Sequence, residues 1–287
     1  MSKKFRHELG KQRNRPAVRF RFSMVIFIFI ITLGSFFVMH MFDANINDDD
    51  FIRNLYNNSN SGENSDGKSS YDTVSENTIQ IINPVPQSTN VKGKEYWKDC
   101  ALVGDLTMLK IANADTEAIP KENVFAASNI NIENINNTKI SYLNGNETIV
   151  NLLKNSEYEY KYIYIMLGDD GIETLTIEQM VESYSDFIRE IKASVPNSKI
   201  YIMSIPPVTE KREQMQTNGV SNLKIDQFNS ELLVLANSES VYFVDVNTTL
   251  KGNGGKLPNA FTENDNITLK SSSYKLIHDY ILTHTVD

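Results

Sequence analysis

Cysteine is nearly absent from this 287-residue chain: Cys100 is the only one, which excludes an intrachain disulfide. It stands at the head of an apolar run, where a small buried residue is the expected role. Histidine is scarce too, with four in all. Only His278 and His284 fall in the C-terminal part, both in a helical pattern, where surface or packing roles are expected. Basic charge is outnumbered by acid beyond the N-terminal tail. Residues 1–21 carry eight Lys or Arg against the single acid Glu8, a net of +7, which leaves −15 for the rest of a chain whose total is −8. An acidic bulk argues against nucleic acid as a partner, because phosphate neutralisation needs clustered Lys and Arg, and the basic tail is better explained by the hydrophobic run beside it. No internal repeat is present.

Long apolar runs are missing as well, with one exception. Phe22 to Phe42 contains no Asp, Glu, Lys or Arg over 21 residues, about what a helix needs to cross a bilayer at ~1.5 Å per residue. The basic tail before it and Asp43, Asp48, Asp49 and Asp50 after it orient the N-terminus toward the cytoplasm. A cleavable signal peptide would have a shorter apolar core and a small-residue cleavage site after it. The expectation is a signal anchor at 22–42 in a single-pass membrane protein, with everything beyond residue 43 outside the cytoplasm. His40 is expected at the interface.

Residues 43–94 are rich in Asn, Ser, Asp and Gly without sustained periodicity, the composition of a flexible stalk. Within it, Thr78–Ile82 is a candidate short strand and Pro84-Val85-Pro86 an extended lead-in. From Glu95 the pattern changes. Strands are expected at Cys100–Val103, Asn123–Ala126, Tyr160–Leu167, Lys199–Ser204 and Val241–Val246, and helices at Thr176–Ser194, Asn218–Ala236 and Ser271–Thr283. Strands alternating with helices imply crossovers and a parallel sheet. The domain 95–287 is therefore read as α/β with five parallel strands, and its ligand site belongs at the C-terminal strand ends.

Three segments fall on that rim: Gly104-Asp105-Leu106-Thr107, Gly168-Asp169-Asp170-Gly171 and Asp265-Asn266-Ile267-Thr268-Leu269. The first is a strand running into a tight turn and a helix, the architecture that places a nucleophile where backbone N–H groups converge. Leu106 stands at the apex.

The lead-in Asn83-Pro-Val-Pro86, the run Glu95-Tyr-Trp-Lys-Asp-Cys-Ala-Leu-Val-Gly-Asp105, the strand Ser198-Lys-Ile-Tyr-Ile-Met-Ser-Ile-Pro-Pro207 and the segment Ile225–Asp245 follow one another in a familiar order. In order and spacing they resemble the SGNH/GDSL hydrolase family, particularly its membrane-anchored bacterial branch, over nearly all of 95–287. The resemblance implies a three-layer α/β/α domain and hydrolysis or transfer of acyl esters on lipids or carbohydrates. It also implies four site positions, and the sequence departs at each. The nucleophilic Ser maps onto Leu106, the oxyanion-binding Gly onto Asn129, the oxyanion-binding Asn onto Asp170, and the His onto Thr268, while the Asp partner of that His persists as Asp265.

Leucine has no nucleophilic atom, so no acyl-enzyme forms there. Threonine is no general base near neutral pH. Aspartate in place of an oxyanion donor sets an anion beside developing negative charge, and one lost donor already costs ~2.7–4 kcal/mol. The expected protein lacks the family's esterase activity and holds a cell-envelope polysaccharide or a partner protein in the former active-site cleft, with Asp105, Thr107, Asp169, Asp170 and Asp265 as binding candidates. No cofactor and no metal is expected. Clustered carboxylates could hold Ca²⁺ or Mg²⁺, but capping of turns and helices by Asp is the reading adopted. Two rivals stay open: an acyl-ester hydrolase or O-acyl transferase with a rearranged site, Thr107 sliding into the apex, and a structural scaffold of a membrane assembly. Tyr158, Tyr160, Tyr162 and Tyr164 share one strand face, expected to pack against helices. Trp97 is a candidate pocket wall, with core packing the favoured role.

Overall fold

The computed structural model describes residues 81–287 apart from Asn144, 216–218, Asn266 and Asp287. The basic tail, the expected anchor at 22–42 and the stalk up to residue 80 lie outside the described residues. Among the described residues no helix is long and apolar enough to cross a membrane.

The chain runs β1 (Cys100–Gly104), α1 (Leu106–Asn113), β2 (Val124–Ala126), β3 (Lys139–Tyr142), β4 (Gly145–Thr148), α2 (Ile149–Lys154), β5 (Tyr162–Met166), α3 (Ile177–Ser194), β6 (Lys199–Met203), α4 (Glu210–Gln214), α5 (Asn222–Ser238), β7 (Tyr242–Val244), α6 (Val246–Leu250) and α7 (Ser271–Thr283). The main sheet has the order β2-β1-β5-β6-β7, and every pairing in it is parallel. β3 and β4 form a separate antiparallel hairpin. The five expected strands are these five, each trimmed or extended by a residue or two.

Connection direction sets the layers. From β1 the chain steps outward through α1 to β2, whereas from β5 it steps the other way through α3 and α5. Right-handed crossovers therefore put α1 on one face and α3 with α5 on the other. The contacts agree: α3 packs on α5, and α1 on α7. A sheet covered on both faces calls for continuous apolar strands rather than alternation, and β1 is buried at all five positions. α3 shows the opposite pattern, an amphipathic stripe of Met180, Tyr184, Phe187, Ile188 and Ile191. Thr176 and Gln179 close a capping box at its start, and Val195 ends it ahead of Pro196.

On one sheet face Tyr164, Tyr201 and Tyr242 stack across β5, β6 and β7 at 4.6 and 4.9 Å. Tyr164 shares a 2.8 Å hydrogen bond with Tyr96. These rings are packing. Trp97 is core as well, 1% exposed with the His278 ring 5.4 Å away, and it lines no part of the rim. Cys100 is fully buried, as its position suggests.

The folded domain starts earlier than Glu95. Asn83, within the expected stalk, accepts from Phe243 N and donates to Val241 O; Val85 is buried and donates to Phe243 O. Ser88 and Lys92 bond backbone carbonyls at the end of α7. Residues 83–92 thus edge the sheet beside β7, held by hydrogen bonds and one apolar anchor that composition does not reveal.

Candidate functional site

The neighbours β1 and β5 send their connections in opposite directions, so the crevice of this sheet opens above their C-terminal ends. Two glycines shape it. A Cβ on Gly104 would meet Met166 O at 2.1 Å, and Gly168, at φ +115°, has Phe228 Cε1 2.7 Å from its would-be Cβ. Between them lies Asp105, 1% exposed. It caps α1 by accepting from Thr107 N at 2.9 Å, and it accepts from Gly168 N at 3.1 Å. This carboxylate therefore ties the elbow to the end of β5, and it lies beneath the cleft rather than in it.

Above it is a cleft of about 190 Å³. Leu106, Thr107 and Lys110 from α1 line one side, with Asp169, Asp170, Ile172 and Glu173 after β5 and Ile267, Thr268 and Leu269 before α7. Pro206, Pro207 and Val208 after β6 form a wall. Buried amides hold that wall: Asn229 accepts from Ile205 N at 2.8 Å and donates to Ile205 O, where Asn247 also donates, and Asn222 brackets Val208 in the same way.

Thr107 Oγ1 donates to Asp169 Oδ2 at 2.8 Å. Thr268 Oγ1 donates to Asp265 Oδ2 at 2.7 Å, and Asp265 Oδ1 accepts from the N–H groups of Ile267 and Thr268. Arg212 pairs with Glu173 across the mouth. Of the positions singled out from sequence, Leu106, Thr107, Asp169, Asp170 and Thr268 line the cleft, with Asp265 attached through Thr268. Asn129 does not join them. Its side chain donates to Lys139 O, its carbonyl accepts from Asn134, and it is exposed in the loop leading to β3. Neither histidine reaches the site: His278 bonds Ile111 O through Nε2 at 2.9 Å, and His284 stacks on Tyr280 at 3.7 Å.

Lys110, Glu173, Arg212 and Tyr274 are cleft residues that sequence reading missed. A signal existed for Lys110, which is four residues beyond Leu106 and so on the same face of α1. Among the described residues Lys110 has no hydrogen-bond or ion-pair partner, nor does the side chain of Asp170. The cleft thus offers an open cation and an open anion. Among the described residues no group of three or more His, Cys, Asp or Glu could hold a metal ion. Asp105 and Asp265 serve backbone N–H groups instead.

The carboxylates differ in their electrostatics. Backbone and hydroxyl donors, Ile267 N first, pull Asp265 down to about 2. Burial, reinforced by the Asp169 charge, pushes Asp105 up to about 7 against the pull of Thr107 and Gly168 N–H. Burial also raises Asp169 and Asp170. An unfolded Asp titrates near ~4. Between about 4 and about 7 the folded chain then holds a proton on Asp105 that the unfolded chain has released, so stability falls as pH rises through that window. Asp169 and Asp170 act in the same direction. Melting temperature is expected to decline between these two pH values, and Asp105→Asn to flatten the decline. An unchanged slope in that variant would remove Asp105 as its source.

No protein-family model matches the sequence, and no curated protein matches it. In structure the chain is similar to a Streptococcus pneumonia protein provisionally assigned as a platelet activating factor, at TM-score 0.52 and 18% identity, covering 64% of this chain and 81% of that one. It is also similar to a GDSL-like lipase from Bacteroides thetaiotaomicron, at TM-score 0.48 and 13% identity, covering 64% of this chain and 86% of the other. At such identities the first likeness extends to the fold and not to the chemistry.

Proposed function

Starting from an SGNH/GDSL hydrolase-like fold, we propose that this chain is a membrane-anchored, extracytoplasmic member of that architecture that has given up acyl-ester hydrolysis and uses the cleft to bind. The observation that carries the reading is what stands at the elbow and opposite it. Leu106 occupies the first turn of α1, where the resemblance expects a nucleophile. The Thr268 hydroxyl closes on Asp265 at 2.7 Å, where it expects a base. Leucine has no atom to bond an acyl carbon, and threonine at the other position removes no proton near neutral pH. Asp170 beside them opposes an oxyanion.

What remains suits recognition. Tyr274, Pro206 and Leu257 give apolar surface, and Thr107, Asp169, Asp170 and Lys110 give polar groups. Through the resemblance, the ligand class is an ester-bearing glycan of the cell envelope, or a partner protein that presents similar chemistry. The anchor at 22–42 would place the cleft outside the cytoplasm.

A specific contact favours the rival. Thr107 Oγ1 on Asp169 is a hydroxyl held by a carboxylate whose proton affinity burial has raised. Assay of the purified chain on p-nitrophenyl acetate separates the two readings. The expected result is no turnover above buffer, together with a rise in melting temperature on adding acetylated envelope oligosaccharides. Turnover that disappears in Thr107→Ala would establish the rearranged esterase instead. A third outcome, neither turnover nor any ligand-induced shift, would favour a scaffold whose cleft is idle.

A further inference from the structure

A second concavity lies at the opposite end of the sheet. It has a volume of about 730 Å³ and is bordered by Lys98, Glu122, Tyr142, Asn155, Glu157 and Tyr158 among others. These residues precede β1, β2 and β5 or lie on the β3–β4 hairpin and after α2, so they share nothing with the cleft at the C-terminal strand ends. Its size is in the range of pockets that take small organic ligands.

One wall is a fixed set of rings. Tyr158, 45% exposed, leans on buried Tyr160 at 5.0 Å; Tyr160 meets Phe125 edge-on at 5.5 Å; Phe125 stacks on Tyr142 at 4.9 Å. The phenol groups are all engaged. Tyr142 and Tyr160 both donate to Glu122 O, at 2.5 and 2.8 Å, and Tyr158 donates to Asp99 at 2.7 Å. With hydroxyls and ring packing holding them, the exposed faces of Tyr158 and Tyr142 are set before any ligand arrives, which lowers the ordering cost of binding.

The polar groups around the wall are both donors and acceptors, and they are open. Among the described residues the carboxylates of Glu122 and Glu157, the Asn155 amide and the Lys98 ammonium have no hydrogen-bond or ion-pair partner. The remaining acid, Glu147, is paired with Lys139 at 3.5 Å. Two open carboxylates against one open ammonium leave little net charge, so a strongly cationic segment would meet Lys98 and gain little. A chain of neutral hydroxylated rings fits better. Its C–H faces lie on aromatic surfaces, and its hydroxyls serve carboxylate acceptors and ammonium or amide donors at once.

We infer that this groove is a second binding site, for a neutral saccharide chain, separate from the cleft. Hydrogen exchange of the full-length protein in millimolar chitohexaose, cellohexaose or xylohexaose tests it. At least one of the three is expected to protect the peptides covering 118–123 and 151–160 while leaving 104–110 and 167–173 unchanged. Tyr158→Ala is expected to weaken that binding by about tenfold, the loss typical of a truncated aromatic anchor, without a large fall in melting temperature since the side chain is half exposed. Glu157→Gln, which keeps an acceptor, is expected to weaken it less. No protection by any of the three sugars would overturn the inference. Protection confined to the cleft peptides, or tighter binding of an octalysine peptide at this groove than of the sugars, would overturn it as well.

Discussion

Replacing Leu106→Ser together with Thr268→His is expected to raise p-nitrophenyl acetate turnover by at least about 10²-fold over the wild-type chain, the lower end of what a positioned base contributes. The scaffold for both groups is in place. Position 106 opens α1 directly after its cap, where the helix N-terminus favours developing negative charge. Position 268 already directs its side chain onto Asp265, which accepts the threonine hydroxyl at 2.7 Å. An imidazole there would find the same carboxylate to orient it, as in other triads. Leu106→Ser alone is expected to give no gain, because the groups act as a unit and the new hydroxyl would have no base. Adding Asp170→Asn should help further by exchanging an anion for a donor, a change on the scale of ~2.7–4 kcal/mol for one oxyanion contact. Equal turnover in the single and double variants would mean that position 268 does not face the elbow.

Gly104→Ala is expected to destabilise the domain by about 3 kcal/mol or more, at or beyond the usual range for overpacking. The new methyl would lie 2.1 Å from Met166 O and 2.8 Å from Met108 Cβ. Met166 is paired with Gly104 itself in the β1–β5 ladder, so its carbonyl can retreat only by breaking the register of the two central strands. In a domain of this size the loss reads as a fall in melting temperature of roughly 6–12 °C. Gly254→Ala is the control: nothing lies within 4 Å of its would-be Cβ, and its effect should stay within about 0.5 kcal/mol. A Gly104→Ala chain as stable as that control would show that the elbow is looser than this packing implies.

These two positions also show what was legible in the sequence. The elbow could be read because β1 is a buried parallel strand, and such strands are continuous apolar runs that end visibly at a glycine. β5 reads in the same way, with Gly168 just past its end, while β6 is an apolar run stopped by Pro206-Pro207 and α3 is marked by its Thr176 cap and Pro196 stop. Asp105 and Asp265 are capping carboxylates, the role favoured for them from residue type alone. The β3–β4 hairpin was not legible. Ile140 is its only fully buried described residue, so no alternation marks it.

That hidden hairpin also misplaces Asn129. Residues 127–138 carry three buried isoleucines, Ile130, Ile132 and Ile135, at mixed spacing, and without the hairpin nothing fixes which of the polar residues between them turns toward the rim. Residues 83–92 read as stalk because Asn, Ser and Pro dominate them, while their attachment runs through Asn83 and a single buried Val85. Arg212 and Glu173 meet across 39 positions of sequence, a pairing that only the crossover through α3 and β6 brings about.

A cleft without a nucleophile is expected to resist covalent labelling. Incubating the wild-type chain with a fluorophosphonate and weighing it intact should give no adduct, while the Leu106→Ser, Thr268→His variant should gain the mass of one phosphonyl group. A wild-type adduct that maps to Thr107 would instead make that hydroxyl a nucleophile and the protein an active hydrolase.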